Sequence, residues 1–457
     1  MINNEDAPLL DGVDYHQHAL NGDQQQFRTY KSRYYVLFLF TLVSLQQCNQ
    51  WITFSTVAPL SSTYYNSPIA LINFLSAVGP IIFVPFSIVM TWSINRYGIR
   101  KNIMISAGLV ALGSVIRSIP GQGNKLFPLI VIGQVFNSVA GPVVMILPTK
   151  ISATWFAPSE RTFSTAIGTL SNFSGSAIAF IVSLYAVDGL HLRYLLFAEA
   201  TFSILIFAAV CIYFPEKPPS PPSATSFISD IKSQTPLGSS GDIYQPQSLL
   251  QSWKTLFVSS YQFMTNSSAA IVTIAVALTS GTYAGWSAVL TEILLDVYTI
   301  EQGKMFGFYG ILAGIVGGLM CGFAHDRFHN FKKILLFLFA INTIIYLLFS
   351  LMVDGYIPRY YWLGQLLNVS GGWVINGFYP IIYEAAVEVS YPIPESIGTS
   401  IISILLNVVT FIAIMVGSVV PVYYLNYFLV ATSLISFLLI FFVKEEYKRS
   451  KNDNLIT

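Results

Sequence analysis

The sequence is poor in charged residues. Of its 457 residues, 10% are charged and 54% are hydrophobic, whereas a soluble domain usually carries about 25% charged residues. So few charges cannot coat the water-facing surface of a chain this long, and the mean hydropathy of +0.62 agrees with this. We therefore expect lipid to be the solvent for most of the molecule. The formal net charge of +1 gives no long-range field that would favour nucleic acid.

Cysteine is scarce, and several motifs of metal and nucleotide chemistry are missing. Cys48, Cys211 and Cys321 are widely separated in apolar stretches, which is typical of small buried residues rather than of disulfides or a zinc site. No Cys-x-x-Cys, Walker loop or Gly-x-Ser-x-Gly occurs. The sequence therefore predicts no enzyme activity, no cofactor and no metal.

Twelve apolar stretches are long enough to cross a bilayer as helices, which takes about 20 residues each. The first begins at Tyr34 and is too long for a signal peptide. The predicted spans are 34–60, 68–92, 102–118, 127–148, 162–186, 193–214, 262–290, 304–324, 334–353, 360–383, 397–420 and 424–443. These divide the chain into a tail (1–33), two six-helix halves (34–214 and 261–443), a linker (215–260) and a second tail (444–457).

Lysine and arginine are distributed unevenly among the predicted loops. If the N-terminus is cytosolic, 18 of the 23 basic residues lie on the cytosolic side, with Arg117 among the five on the other side. Because cytosolic loops of membrane proteins are enriched in Lys and Arg, the sequence predicts that both termini are cytosolic. The linker opens with a proline-rich run from Pro215, which cannot continue a helix. The remainder is expected to be flexible.

The two halves carry similar loops after their second spans. The first runs from Asn95 to Lys101, and the second from Gly322 through Asp326–Arg327 to Lys333. Both resemble the major facilitator loop G-x-x-x-D-R-x-G-R-K, and they stand at equivalent places. The alternative is that these basic residues serve topology alone. The resemblance implies an all-α membrane protein with the major facilitator fold.

Polar residues form stripes on four spans, at the i, i+3, i+4 spacing of one helix face. The first, fourth, seventh and tenth spans carry them, and in the major facilitator architecture these helices line the central cavity. The alternative is that the stripes join helices by hydrogen bonds. The predicted substrate-binding residues from these stripes are Gln46, Asn49, Gln50, Trp51, Asn137, Tyr283, Trp286 and Asn376. Amides, hydroxyls and rings without Lys, Arg or His favour a neutral or cationic, ring-sized solute over an anion.

Three acidic residues in or near predicted spans are candidates for proton coupling: Glu199, Glu292 and Glu384. A carboxyl group removed from water takes up a proton more readily. Glu199 lies well inside the sixth span, away from both interfaces. Structural pairing with a neighbouring helix is the alternative for each of them.

Several local sequences resemble solute carrier family 49, which includes the feline leukaemia virus subgroup C receptor-related transporters. They are Thr154–Phe156 with Glu160–Arg161, Gly281–Leu290, and the run from Glu384 and Glu388 to Glu395. One branch of this family is associated with the lysosomal membrane and proton-dependent pyridoxine transport. In the choline-carrying branch a first-span Trp corresponds to Trp51, and a Gln of the eleventh span corresponds to Asn407. This adds Asn407 to the predicted binding residues. Haem is also claimed as a substrate of the family, but it fits poorly with a lining that lacks His and basic residues.

The N-terminal tail carries a candidate sorting motif. Glu5 precedes Leu9–Leu10 with the spacing of the acidic dileucine pattern E-x-x-x-L-L, which cytosolic sorting adaptors bind. Together these features predict a multi-pass lysosomal carrier of a small molecule, most plausibly pyridoxine, driven by protons. A choline or ethanolamine carrier is the alternative within the transporter class. A non-transporting lysosomal sensor or scaffold that signals through the linker is the alternative outside it.

Overall fold

The computed structural model describes residues 28–121, 123–223, 225–226, 249–288, 290–294, 297–328, 330–419, 421 and 423–451. Within these ranges the chain forms fourteen α-helices and no β-strand. The N-terminal half contains α1 (Ser32–Thr56), α2 (Ala58–Tyr65), α3 (Ile69–Arg117), α4 (Phe127–Trp155), α5 (Arg161–Val182) and α6 (Gly189–Ile212). The remainder contains α7 (Leu249–Thr265), α8 (Ser267–Ala288), α9 (Leu290–Leu294), α10 (Ile300–Phe328), α11 (Phe331–Val353), α12 (Tyr361–Ser390), α13 (Glu395–Val419) and α14 (Tyr424–Phe441).

Twelve of these helical segments form the predicted bundle of two six-helix halves. Nine helices of the described chain are long and apolar enough to span a membrane, and α3 supplies two spans because it bends at Gly98. The remaining two spans, α1 and α12, carry polar stripes that lower their hydropathy. Their polar side chains are buried against other helices rather than exposed to lipid. The expected all-α fold is confirmed.

The second and third spans meet in a one-residue turn instead of the expected loop. Gly98 has a φ of +83°, a conformation that costs glycine little. The carboxylate of Glu216, from the segment after α6, accepts from the backbone N–H groups of Ile99 and Arg100 at 2.7 and 2.6 Å. A carboxylate at a helix N-terminus satisfies otherwise unpaired donors. Any other residue would be strained at this φ, and a Cβ at Gly98 would also crowd the Glu216 carboxylate.

The end of the expected flexible linker is helical. The linker was predicted to extend to residue 260, and the seventh span to begin at 262, but α7 covers Leu249–Thr265 and α8 begins at Ser267. Asn266 separates them, and its Oδ1 accepts from the backbone N–H of Ala269 at 3.2 Å. The helix forms because apolar residues recur at helical spacing and have a surface to pack on: Leu256 and Phe263 are buried.

Small residues allow two pairs of helices in the second half to approach closely. In α10, a Cβ added to Gly317 would lie 2.2 Å from the carbonyl oxygen of Trp373 in α12. In α8, a Cβ added to Gly281 would lie 2.7 Å from the carbonyl oxygen of Leu406 in α13. Such glycine contacts hold membrane helices together by van der Waals packing.

The two halves are hydrogen-bonded at the end of the bundle that carries Arg96, Arg100, Lys101, Lys332 and Lys333, which we call the basic end. Thr91 of α3 donates to Ser400 of α13 at 2.6 Å. Thr149 of α4 and Thr399 of α13 are 2.8 Å apart.

A second contact at the basic end joins α5 to α10. The carboxylate of Asp326 accepts from the backbone N–H groups of Thr162 and Phe163 at 3.1 and 2.8 Å. The halves are thus closed against each other at this end.

Candidate transport site

The polar stripe of α1 faces α6. Gln46 donates to Ser203 Oγ at 3.0 Å and to the carbonyl oxygen of Glu199 at 3.0 Å. Gln50 donates to the same Ser203 hydroxyl at 2.6 Å. These amides therefore link the first and sixth spans. For these two residues the structure shows the alternative interpretation of the stripe, in which polar side chains join helices by hydrogen bonds. Their contact with a solute stays a prediction.

Glu199 lies in a buried ion-pair network between α1, α3 and α6. Its Oε2 is 2.9 Å from Nη2 of Arg117. Its Oε1 accepts from Asn49 Nδ2 at 3.0 Å and from the hydroxyl of Thr53. Arg117 Nη1 donates to the carbonyl oxygen of Gln50 and to Gln134 Oε1 at 2.7 and 2.9 Å. The two charges are therefore neutralised inside the bundle.

Arg117 is the residue of this network that the sequence did not indicate. Counting loop charges put it with the residues of the non-cytosolic side, and the predicted lining of the solute path contained no basic residue. In the structure it is 2% exposed, and its guanidinium lies 5.4 Å from the ring centroid of Phe54. The available signal was a lone acid, Glu199, inside one span and a lone arginine in the last turn of another. Such charges usually pair within the membrane.

The polar stripe of α4 is joined to α1 and α5. Asn137 Nδ2 donates to the carbonyl oxygen of Gln47 at 3.1 Å, and Gln47 Nε2 donates back to that of Asn137 at 3.2 Å. Gln47 Oε1 accepts from Asn172 of α5 at 3.2 Å. Neither Gln47 nor Asn172 was among the predicted site residues.

Trp51 is positioned by α3. Its Nε1 donates to the carbonyl oxygen of Ser76 at 3.1 Å. A Cβ at Gly79 would lie 2.3 Å from that nitrogen, so the indole rests on the glycine. The side chain stays half-buried, unlike the fully buried amides beside it.

The aromatic residues of α8 belong to a cluster with α11. The ring of Tyr283 stacks on Trp286 with centroids 5.7 Å apart, and Trp286 packs edge-on against Tyr346 at 5.4 Å. Trp286 is fully buried, and its Nε1 donates to Asn426 Oδ1 at 2.6 Å. Tyr283 is half-buried. The half-buried ring of Tyr283 therefore packs against a fully buried ring, that of Trp286.

The predicted asparagines of α12 and α13 differ in exposure. Asn376 is buried against Gly314 and donates to the carbonyl oxygen of Gly372 in its own helix at 3.0 Å. Asn407 is half-buried and donates to the carbonyl oxygen of Ser403 at 2.9 Å.

Between the two halves, the rings of Phe173 in α5 and Tyr379 in α12 lie 5.0 Å apart. This ring contact was not predicted as part of the site.

Of the other predicted acids, Glu384 lies at the basic end of the bundle. It accepts from Thr165 of the opposite half at 2.9 Å and lies 3.7 Å from Arg449 of the C-terminal segment. The side chain of Glu292 and the residues Glu5, Leu9 and Leu10 lie outside the described part of the chain.

Comparison with known proteins identifies relatives among membrane transporters. The chain is 29% identical over 92% of its length to the solute carrier family 49 member 4 homolog of Xenopus tropicalis, of which 93% is covered. It is 26% identical over 81% of its length to the choline/ethanolamine transporter FLVCR1 of Mus musculus, of which 67% is covered. These relatives confirm the resemblance to solute carrier family 49.

Solved structures show the same fold at low identity. The proton:xylose symporter XylE bound to 6-bromo-6-deoxy-D-glucose superposes with a TM-score of 0.68 at 15% identity, covering 93% of this chain and 99% of that one. A bacterial homologue of the iron transporter ferroportin, in the outward-facing state, superposes with a TM-score of 0.63 at 12% identity. The latter match covers 90% of this chain and 98% of that one. The profile of the Major Facilitator Superfamily matches residues 39–417, and the chain belongs to that family of transporters.

Proposed function

We propose that this protein carries a small, ring-sized organic solute, with pyridoxine as the first candidate, across the lysosomal membrane by proton-dependent alternating access. The observation that carries this proposal is that the first helix of each half presents a half-buried aromatic ring. Trp51 on α1 and Tyr283 on α8 keep exposed area, whereas Gln50 beside Trp51 bonds Ser203 of α6 and Trp286 beside Tyr283 bonds Asn426 of α14. Aromatic faces bind flat rings by stacking and cations through their quadrupole.

The charge of the interior favours a neutral or cationic solute. Arg117 is already engaged by Glu199 at 2.9 Å and by Gln134. It is therefore not free to neutralise an anionic solute, and burying an unpaired charge is costly. Asn407, half-buried on α13, adds an amide that can bond a hydroxyl group of the solute.

A choline or ethanolamine carrier is the second candidate. The observation that favours it is the similarity to two choline/ethanolamine transporters, the FLVCR1 proteins of Mus musculus and Felis catus. Trp51 and Tyr283 suit a quaternary ammonium group as well as a pyridine ring. The two candidates therefore differ in the chemical group that the solute presents, and not in the aromatic residues that would bind it.

Orientation follows from the loop charges. Because Lys and Arg are enriched on the cytosolic side of membrane proteins, we place the basic end and both termini in the cytosol. The conformation described above is then closed towards the cytosol.

Glu5 and the Leu9–Leu10 pair would be available to sorting adaptors on the cytosolic tail. Replacing both leucines by alanine should move the protein from lysosomes to the cell surface, measured by co-staining of the full chain. Persistence of the double variant in lysosomes would contradict this role.

The test of the transport proposal is uptake into vesicles that contain the purified protein. Pyridoxine, choline and ethanolamine are each offered with and without a proton gradient, and protein-free vesicles serve as the control. We expect saturable pyridoxine uptake that the gradient stimulates. Saturable uptake of choline alone would establish the second candidate. Binding of solute without flux of any kind would contradict the carrier and support a sensor.

A further inference from the structure

The helix α7 has three distinct surfaces. With 3.6 residues per turn, Leu250, Phe257, Tyr261 and Met264 fall on one sector, and the first three are 81%, 60% and 72% exposed. Leu256 and Phe263 fall on the next sector and are buried. The opposite sector is exposed and carries the polar residues Gln251, Thr255 and Gln262, with the exposed Val258 at its edge. A helix that only connected two water-exposed segments would have no reason to expose four large apolar side chains on one side.

Residues in and beside the buried sector fix α7 to both halves of the molecule. The ring of Trp253 stacks on that of Trp92 in α3, with centroids 5.1 Å apart and planes within 4°. Trp92 Nε1 also donates to Ser252 Oγ at 2.9 Å. At the other end of the helix, Phe263 packs on Gly398 of α13, where a Cβ would lie 2.8 Å from its ring. The helix therefore lies across α3 and α13, which belong to opposite halves.

The position of α7 indicates what covers its apolar sector. One residue, Asn266, separates it from the membrane-spanning α8, so its C-terminal end lies at the boundary of the bilayer. Its apolar sector is then continuous with the lipid-facing surface of the bundle. Lys254 stands beside the apolar sector and is exposed, which suits an ammonium group reaching lipid phosphates from a partly embedded stem. Helices with an apolar face of large and aromatic residues and a polar opposite face lie in the plane of the membrane interface.

We propose that α7 is a membrane-surface helix whose exposed sector, Leu250, Phe257, Tyr261 and Met264, docks into the lipid leaflet at the basic end. Lipid on one side and the bundle on the other then hold the helix across the α3–α13 contact. The occupant of the apolar sector is the boundary between head groups and acyl chains, not another protein.

Site-directed fluorescence in vesicles tests this proposal. Full-length protein with Cys211→Ser receives a single cysteine at Phe257 or Tyr261, or at Thr255 or Gln262 of the polar sector. Each is labelled with a polarity-sensitive fluorophore. Cys48 and Cys321 are buried, and the parent variant without an added cysteine gives the background. The vesicles contain phosphatidylcholine with a spin-labelled acyl chain, with or without phosphatidylserine.

We expect emission at 257 and 261 to shift to shorter wavelength and to be quenched by the spin-labelled chain several-fold more than at 255 and 262. This should hold in phosphatidylcholine alone. Equal quenching of all four positions by aqueous iodide would overturn the proposal. Protection of 257 and 261 from both quenchers would also overturn it, because protein rather than lipid would then cover the sector. Quenching by the spin-labelled chain that appeared only with phosphatidylserine would also overturn it, because charge attraction rather than apolar docking would then hold the helix at the membrane.

Discussion

Trp51 is the aromatic residue of the proposed solute path whose position the structure fixes on two sides, through Gly79 and the Ser76 carbonyl. Replacing it by alanine should weaken solute affinity by about 5- to 150-fold, since a ring contact contributes about 1–3 kcal/mol. The measurement is the half-saturation concentration of uptake in vesicles with matched amounts of protein. Trp51→Phe is the matched control, because it keeps a ring on Gly79 but loses the bond to the Ser76 carbonyl. It should retain most of the affinity, and an unchanged affinity in Trp51→Ala would remove Trp51 from the site.

The pair formed by Glu199 and Arg117 gives a prediction about stability. Glu199→Gln leaves the guanidinium of Arg117 buried without a carboxylate, which should destabilise the protein by about 3–5 kcal/mol. Changing both residues, as in Glu199→Gln with Arg117→Met, removes the charges together and should restore most of that loss. The midpoint of thermal unfolding in detergent reports both effects. Independent, additive losses in the two single variants and the double variant would show that the pair is not coupled.

The double variant also tests the proposed proton coupling without the complication of misfolding. If Glu199 carries the proton, solute exchange should persist in the double variant while stimulation by a pH gradient disappears. Full stimulation would show that the proton passes elsewhere, and Glu292 and Glu384 would be the next residues to examine.

Glu199 could be selected from the sequence because an acid inside an apolar span is rare. Arg117 could not be assigned as its partner, because the two residues are far apart along the chain. The choice among neighbours depends on how α1, α3 and α6 pack. The same limit applies to Gln46 and Gln50. Helical spacing placed them on one face, but only the fold shows that this face meets Ser203.

Among the helices, the contact between α10 and α12 gives a prediction about close packing. A methyl group at Gly317 would lie 2.2 Å from the carbonyl oxygen of Trp373, a backbone atom that cannot move alone. Gly317→Ala should therefore cost about 1–3 kcal/mol through overpacking. Gly307→Ala in the same helix is the matched control, since its methyl group would meet only the ring of Phe180 at 3.3 Å. Equal unfolding midpoints for the two variants would refute this account.

The C-terminal segment after α14 contributes to closure of the basic end. Arg449 is buried and lies 3.7 Å from Glu384 and 3.6 Å from Glu395, and Glu384 also bonds Thr165 of the opposite half. Arg449→Ala should loosen this end, seen as several-fold faster hydrogen exchange in residues 395–400 and 447–451. Lys448→Ala is the control, because the neighbouring Lys448 is exposed and pairs with Glu446. Equal exchange in both variants would show that Arg449 does not hold the segment.

Helix positions were predicted well from apolar length, and the exceptions have physical causes. The third span begins directly after Gly98 because Glu216 caps it from a distant part of the chain, which no local pattern shows. The helix α7 follows a proline- and serine-rich stretch, whose composition indicates a loop. Its apolar spacing becomes informative only once Trp92 and Gly398 offer a surface to pack on. Contacts with distant residues, a capping carboxylate in one case and a packing surface in the other, therefore decided both exceptions.

For the whole molecule, the arrangement of the halves determines which side of the membrane the solute can reach. In the described conformation the basic end is held by bonds such as Thr91 to Ser400 at 2.6 Å, Thr149 to Thr399 at 2.8 Å and Asp326 to the start of α5. Each bond joins one half to the other. The proposed alternating access requires that these bonds break together, because the basic end must then open in every cycle.

Cross-linking at this contact tests that requirement. Cysteines at Thr91 and Ser400 should be close enough to oxidise to a disulfide, because the two hydroxyl oxygens are 2.6 Å apart. The disulfide should hold the basic end closed and abolish net uptake, and a reductant should restore it. Each single cysteine variant, treated with the same oxidant, controls for effects of the substitution and of Cys211. Full transport by a cross-linked carrier would show that the solute does not leave through the α3–α13 contact, and that the halves do not separate there during the cycle.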